Sequence, residues 1–364
     1  MSAPRIARWS PEPGRRILVI SDIHANLPYF EGVLREAGFS ERDELVIDGD
    51  FLEKGKESLR MLRRLMALNE SGRLHVVCGN CDDWYDIYRP EWDCAGDEHI
   101  LHYMRWRKSG LLWDMCLAAG IDPERAEDFG ALKRELLRAF PAEWDFLAGL
   151  PYAIETENFL FVHAGWDPAR PLAAHTAEEL CRVPAFLDSG VSCPKWTVVG
   201  HWPVVLYGKD TVCANPVIDR DKRIVSIDGG CVLKDDGQLN CLVIPERDSD
   251  DFSYFAYDPF PVRTVLDVQA EGGRSYYIRW GDSRVRVLAR GEEFSRCRHL
   301  RTGYEMDILS KYLFTNAAET DCNDCTDYVL PLRPGDRVHV IEETSRGYFV
   351  KHEGLSGWYY GRLA

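Results

Sequence analysis

Asp22 and His24 stand two residues apart, directly after the apolar run Ile17-Leu18-Val19-Ile20. From one turn, a carboxylate and an imidazole at that spacing reach a common metal ion. A D-x-H pair recurs by chance in a chain this long, so it counts only if further donors follow later strands. Asp50 follows Leu45-Val46-Ile47, and Asn80 follows His75-Val76-Val77. His163 follows Phe159-Leu160-Phe161-Val162, and His201 follows Thr197-Val198-Val199. Glycines beside these donors permit tight turns. A lone Asp or His after a strand is usually a cap or a satisfied polar group; six in this order at strand ends are not. Carboxylates, an amide oxygen and imidazoles suit Mn, Fe or Zn better than Ca. One shared carboxylate can bridge two divalent ions about 3.5–4 Å apart. Such a pair would orient a phosphoryl group and supply a metal-bound hydroxide for in-line attack.

The elements that must position these donors can be read from periodicity. Leu27, Phe30, Val33, Leu34 and Ala37 have helical spacing, with Gly38 as a stop. A second helix is predicted over residues 57–68, with Leu59, Leu62, Leu65 and Met66 on one side. The β-α-β-α-β order implies a mainly parallel sheet with crossovers, and open α/β sheets place their chemistry at the carboxyl ends of strands. Residues 83–150 read as helical and irregular, with an amphipathic piece near 131–140. Strands are expected over 223–227 and 240–244, and the acidic stretch 245–251 reads as a linker or exposed loop. Beyond it, alternation over 262–268 and 275–280 around Glu271-Gly272-Gly273 predicts a hairpin. Residues 294–314 read as a helix or a mixed segment, and the last forty or so as strands.

Composition narrows the function classes. The chain has 364 residues, 45% hydrophobic and 28% charged, enough for one large domain and a smaller one. Its formal charge of -15 argues against a nucleic-acid binder. No apolar run of about 18 residues is present, so no membrane role is expected. The first residues carry Arg5 and Arg8 without an apolar stretch, unlike a secretory signal. Twelve scattered cysteines without disulfide-framework spacing then suggest reduced thiols in a cytoplasm. The pairs Cys78/Cys81 and Cys322/Cys325 lie too far apart in sequence for an ordinary zinc-site spacing.

The ordered pieces Asp22-Ile23-His24, Gly49-Asp50-Phe51-Leu52-Glu53-Lys54-Gly55, Gly79-Asn80, Val162-His163-Ala164-Gly165 and Gly200-His201-Trp202 carry a resemblance. Over residues 15–245 the chain resembles calcineurin-like metallophosphoesterases, most of all their phosphoprotein-phosphatase branch with its diadenosine tetraphosphatase-like enzymes. The resemblance implies an α/β fold, a β-sandwich flanked by helices. It implies two divalent metal ions, Mn ahead of Fe or Zn. One would be held by Asp22, His24 and a bridging Asp50, the other by Asp50, Asn80, His163 and His201. The implied activity is phosphate monoester hydrolysis, closest to protein serine/threonine or tyrosine phosphatases. A dinucleoside polyphosphate hydrolase or phosphodiesterase is the alternative, and a weakly active metal-binding scaffold protein is the alternative of another class.

Three departures from the resemblance concern the remaining candidates. The branch usually reads Asn-His-Glu or Asn-His-Asp, its His protonating the leaving oxygen; here the run is Asn80-Cys81-Asp82. A thiol with an ordinary pKa of about 8.5 is a poor substitute. Gly-Asn-Cys-Asp resembles the small phosphodiesterase branch, but Pro203 stands where that branch has a second His after His201. Lys54 replaces an Arg, keeping charge but losing the bidentate fork. Glu53 replaces an Asp that orients the missing His, and either holds water or serves as the acid. The catalytic candidates are thus Asp50, Glu53, Cys81 and Asp82, with Lys54 and Asn80 as substrate contacts. The expected domains are a catalytic domain over 1–250, a β-rich connection over 251–325 and a module over 326–364. That last module resembles an SH3-like barrel. It would bind a protein partner if Tyr348, Trp358 and Tyr359 were exposed, and serve as packing if they were buried.

Overall fold

The apolar runs form strands whose two faces are both covered. In the computed structural model, which describes residues 4–83, 98–316 and 319–364, strand β2 (Ile17–Ile20) is fully buried at every position. The part of the helical expectation that falls on residues 84–97 lies outside the described residues. The chain divides into two compact units: Met1–Pro203, Pro216–Leu233 and Gly237–Asp258 form the first, and Val204–Asn215, Lys234–Asp236 and Pro259–Ala364 the second.

The first unit is built on two sheets. Its strands, with β2, are β1 (Ile6–Arg8), β3 (Glu44–Asp48), β4 (Leu74–Val77), β5 (Ala153–Glu155), β6 (Phe159–Phe161), β7 (Trp196–Val199), β9 (Val217–Asp219), β10 (Ile224–Ser226), β11 (Leu239–Ile244) and β12 (Ser253–Tyr257). The two-residue β8 (Val212–Cys213) belongs to the second unit. One sheet runs β12-β11-β2-β3-β4 and the other β1-β5-β6-β7-β10-β9. β2, β3 and β4 are parallel, as the β-α-β-α-β order requires, and β11 returns antiparallel beside β2.

Alternate residues of the two sheets meet in one apolar layer. Ile17, Val19, Val46 and Val77 pack there with Phe161, Val198 and Val225. Burying each such side chain is worth about 1.5–3 kcal/mol. The other face of β2 and β3 takes Leu18, Ile20, Leu45 and Ile47. Helix Leu27–Glu36 packs over β11 and β12, and helix Ser58–Asn69 over β4. Gly32 allows the first of these contacts, because a Cβ there would lie 2.3 Å from the Tyr257 ring.

Among its described residues the second unit has strands and short turns of helix, and it departs from the local reading at one hairpin. The predicted hairpin across 271–273 does not form. β13 (Val262–Thr264) pairs instead with β21 (Arg337–Thr344), and β14 (Tyr277–Ile278) with β20 (Cys325–Thr326). These distant pairings bury Val265, Leu330, Leu332, Val338 and Tyr359 together, which a local hairpin would not. Residues 294–314 are mixed rather than helical, with the strands Phe294–His299 and Glu305–Leu309 and a 3-10 turn at Ser310–Tyr312. The alternation of buried Ser295, Cys297 and His299 with outward Arg296 and Arg298 is the signal for it. In β23 (Leu355–Tyr359), Trp358 donates from Nε1 to the Thr326 carbonyl at 2.8 Å, and Tyr359 donates its hydroxyl to the Asp267 carbonyl at 2.8 Å. Both rings are buried. Among the described residues every cysteine is a free thiol, and no helix is long and apolar enough to cross a membrane.

Candidate metal centre

Where the buried strands end, the chain turns through conformations that side chains rarely adopt. Asp22, His24, Asp50 and His201 have φ of 53°, 52°, 52° and 64°, and so do neighbours Glu53 and Lys54 at 61° and 62°. Each such residue costs about 1–2 kcal/mol, and strain of this kind gathers at functional sites. The surrounding backbone holds it in place. Asp22 N–H donates to the Gly49 carbonyl at 3.0 Å, His24 N–H to Asp50 at 2.9 Å and Ala25 N–H to Phe51 at 2.8 Å. The loops after β2 and β3 are therefore laced together. Two glycines permit the close approach of the others. A Cβ on Gly79 would lie 2.3 Å from Asp50 Oδ1, and one on Gly200 2.2 Å from Asp22 Oδ2.

Asp22, His24, Asp50, Asn80, His163 and His201 converge on one place. Asp50 Oδ1 lies 3.3 Å from His163 Nε2, which is also 3.3 Å from Asn80 Oδ1. His163 Nδ1–H donates to the Asp48 carbonyl at 2.8 Å, which turns its Nε2 toward the cluster. Asp22 Oδ2 accepts the His201 N–H at 2.9 Å, and its Oδ1 is 3.8 Å from His24 Nε2. The Asn80 amide reaches within 2.7 Å of His201 Nδ1. Two groups of donor atoms, Asp22/Asp50/His163 and His24/Asp50/Cys81, each lie within 4.8 Å of one another and share Asp50.

These residues fit divalent cations. Asp22 Oδ1 and both ring nitrogens of His24 are buried without a hydrogen-bond partner. An unsatisfied buried polar atom costs about 1–3 kcal/mol, and a cation among the three removes that cost. Burial pulls His24 down to about 4, and burial with the nearby His163 charge does the same to His201. Both imidazoles are then neutral at neutral pH, as ligands must be. Burial pushes the Asp22 carboxyl well up, helped by the negative Asp228. Burial also opposes ionisation of Asp50, but the His163 charge outweighs it and holds Asp50 low. His163 is raised in return by Asp50 and Asp22, against its burial.

The other predicted site residues fall into different places. Asp82 is buried, and its carboxylate accepts three backbone N–H groups: Asp50 at 2.7 Å, Gly79 at 3.0 Å and Leu52 at 3.0 Å. Burial and the Asp50 charge push it up to about 8, against the pull of those amides. Glu53 turns away from the cluster. Its Oε1 accepts Leu111 N–H at 2.8 Å, at the start of helix Leu111–Ala118, and burial pushes it up to about 7. Lys54 is exposed, and its carbonyl accepts a 2.6 Å bond from Arg107. Cys81 is buried, with Sγ 3.4 Å from Asn80 Nδ2. Burial and Asp50 keep its thiol well above the ordinary range. Sequence reasoning missed Asp48, which orients His163, and Asp228, whose charge acts on Asp22. Asp228 follows β10 closely, as the ligands follow their strands, and could have been found by that sign.

Residues 15–227 match the calcineurin-like phosphoesterase family. The chain belongs to this family. As a calcineurin-like phosphoesterase it is a hydrolase that cleaves phosphate esters, of a family that works with a binuclear divalent metal centre. No curated protein matches it. Among solved structures it is similar to a provisional diadenosine tetraphosphatase, at 18% identity and a TM-score of 0.43, over 70% of this chain and 99% of that one. It is similar to a protein serine/threonine phosphatase from Saccharomyces cerevisiae at 11% and 0.44, over 71% and 85%. A cold-active protein-tyrosine phosphatase of a Shewanella species gives 12% and 0.41, over 67% and 80%.

Proposed function

We propose that this phosphoesterase is a phosphomonoesterase closest in chemistry to protein phosphatases, acting on serine/threonine or tyrosine phosphate esters. The observation that supports it is the convergence of six donors with partnerless buried atoms at Asp22 and His24. Asp22, His24 and Asp50 would hold one ion; Asp50, Asn80, His163 and His201 would hold the other. When bound, two divalent ions supply charge against the phosphoryl oxygens and lower the pKa of a water.

The chain's own residues then have separate tasks. Asp50 stands between the two donor groups, fixed by Asp82 through its amide and by Cys81 N–H on Oδ1 at 2.7 Å. His163 is held in one tautomer by the Asp48 carbonyl. Lys54, exposed on the strained loop, offers a point charge to a phosphate. Asp82 and Glu53 serve to hold loops, since backbone N–H groups occupy their carboxylates. Among the predicted catalytic residues this leaves no clear proton donor.

A second reading follows from that gap. When water cleaves the phosphoanhydride of a dinucleoside polyphosphate, the departing group is a nucleoside phosphate anion that needs no acid, so Cys81 suits such a substrate better than an alkyl ester. In the second unit Trp358 and Tyr359 are buried and Tyr348 is half-buried, which favours a packing role for the C-terminal module over partner binding. A panel of phosphopeptides, aryl phosphates, sugar phosphates and dinucleoside polyphosphates, with the His163→Ala protein as control, tests both readings. Phosphopeptide turnover supports the first and dinucleotide turnover alone the second. No turnover above the control would leave a metal-binding scaffold.

A further inference from the structure

Cys81 has so far been a residue in the wrong place, a thiol where an acid was expected. Its surroundings are those of a ligand. One donor atom each from His24, Asp50 and Cys81 lies within 4.8 Å of the others, and this group is separate from Asp22/Asp50/His163 except for the shared Asp50. All three residues are buried, with His24 at 1%, Asp50 at 3% and Cys81 at 7% exposure, so water does not compete freely for the space. His24 has no hydrogen-bond partner at either ring nitrogen. The Cys81 backbone is pinned to the shared carboxylate by its 2.7 Å bond to Asp50 Oδ1.

We propose that Cys81 is a thiolate ligand of the ion that His24 and Asp50 hold. The assignment rests on the two-metal reading above and adds a soft donor to it. On binding, the S–H bond breaks heterolytically, the proton leaves to solvent and the sulfur lone pair forms the bond to the cation. Nothing is oxidised or reduced.

The Asn80 amide supports the assignment. Judged by hydrogen bonds alone, its nitrogen would turn toward His201 Nδ1 at 2.7 Å and His163 Nε2 at 3.3 Å. Its oxygen would then face Cys81 N–H at 3.3 Å, but that N–H is already used at 2.7 Å by Asp50. In the orientation observed, the amide oxygen joins the two imidazoles, and Nδ2 donates toward Cys81 Sγ at 3.4 Å. An oxygen for one ion and an N–H for a sulfur bound to the other is what a filled two-ion site requires of it. Outer hydrogen bonds of this kind fix and tune a ligand.

A consequence for selectivity follows. A sulfur donor beside nitrogen and oxygen favours Zn or Fe over Mn and Mg. The two positions therefore differ: the His24 position takes the softer metal, and the all-nitrogen-and-oxygen position of Asn80, His163 and His201 is the less selective.

The test uses the full chain, stripped with a chelator and titrated with Co(II) while absorption is followed. A sulfur-to-cobalt charge-transfer band in the near ultraviolet is expected in the wild type. It should disappear in Cys81→Ser and persist in Cys78→Ser and Cys181→Ser. Zn affinity should fall about tenfold or more in Cys81→Ser, at least the scale of losing an outer-shell partner, with Mn affinity moving much less. Should Cys81→Ser fail to fold, X-ray absorption of the Zn-loaded wild type decides alone, with a sulfur neighbour expected at about 2.3 Å. Uptake of two ions with only nitrogen and oxygen neighbours would overturn the assignment and leave the two-metal reading standing. No uptake of metal would overturn both.

Discussion

Asp82 Oδ2 accepts the backbone N–H of Asp50 at 2.7 Å, across a separation of 32 residues. The same carboxylate accepts Leu52 N–H and Gly79 N–H, so one side chain ties the loop after β3 to the loop after β4. Asp82→Ala would leave three N–H groups without their acceptor. At about 1–3 kcal/mol for each left buried, a loss of about 3 kcal/mol or more is expected. Thermal unfolding with and without metal checks this: the variant should lose both stability and its metal-induced rise in Tm. A drop in kcat with Tm and metal content intact would instead make Asp82 a proton carrier.

Glu53 gives a pH dependence of definite sign. Its folded carboxyl is raised from 4.5 to about 7, chiefly by burial. The folded state therefore holds a proton that the unfolded state releases between those values. That contribution to stability is fully present below about 4.5 and is lost as pH rises through about 7. At about 1.4 kcal/mol per unit, the full swing is on the order of 3 kcal/mol. Glu53→Gln should remove it, being more stable than wild type at pH 8 and nearly equal at pH 4.5, by denaturant unfolding. Activity of this variant above one tenth of wild type would also separate a helix-capping Glu53 from a catalytic acid.

The missing acid at Cys81 should show in the leaving group. Aryl and tyrosyl phosphates, whose leaving oxygens need little help, should turn over far faster at the chemical step than alkyl phosphates. With metal supplied in excess to make up for the lost sulfur ligand, Cys81→His should narrow that gap by raising the alkyl rate. Equal single-turnover rates for the two classes in the wild type would sink this view of the site.

Gly200 is required by its neighbours. Gly200→Ala would push a methyl group to 2.2 Å from Asp22 Oδ2 and 2.5 Å from Ser21 Oγ. Metal affinity should fall by about tenfold or more, comparable with losing an outer-shell contact. Gly149→Ala meets nothing within 4 Å and is the matched control, with unchanged metal binding and a slightly firmer helix end. Calorimetric metal titration of both proteins makes the comparison.

The convergence of the six side chains was legible in the sequence because each follows a short apolar run, and a buried strand announces its own end. Helices 27–36 and 58–69 were legible for the same reason, their apolar spacing being local. What was not legible depends on distant partners. Glu53 is set by Leu111, 58 residues on, and Asp82 by amides up to 32 residues away. The hairpin expected at 271–273 had good turn residues, yet its strands gained more buried surface from 325–326 and 337–344. The entry of Val204–Asn215 into the second unit, directly after His201 and Pro203, has no sign in composition or periodicity.

In the proposed function these six donors hold two divalent ions that act together on a phosphate ester. The most direct measurement is a Zn or Mn titration of the stripped full chain, with bound metal and aryl phosphate hydrolysis read on the same samples. A two-ion site predicts two ions per chain, activity rising only as the second position fills, and loss of both in His163→Ala. Full activity at one ion per chain, or none at two, would contradict it.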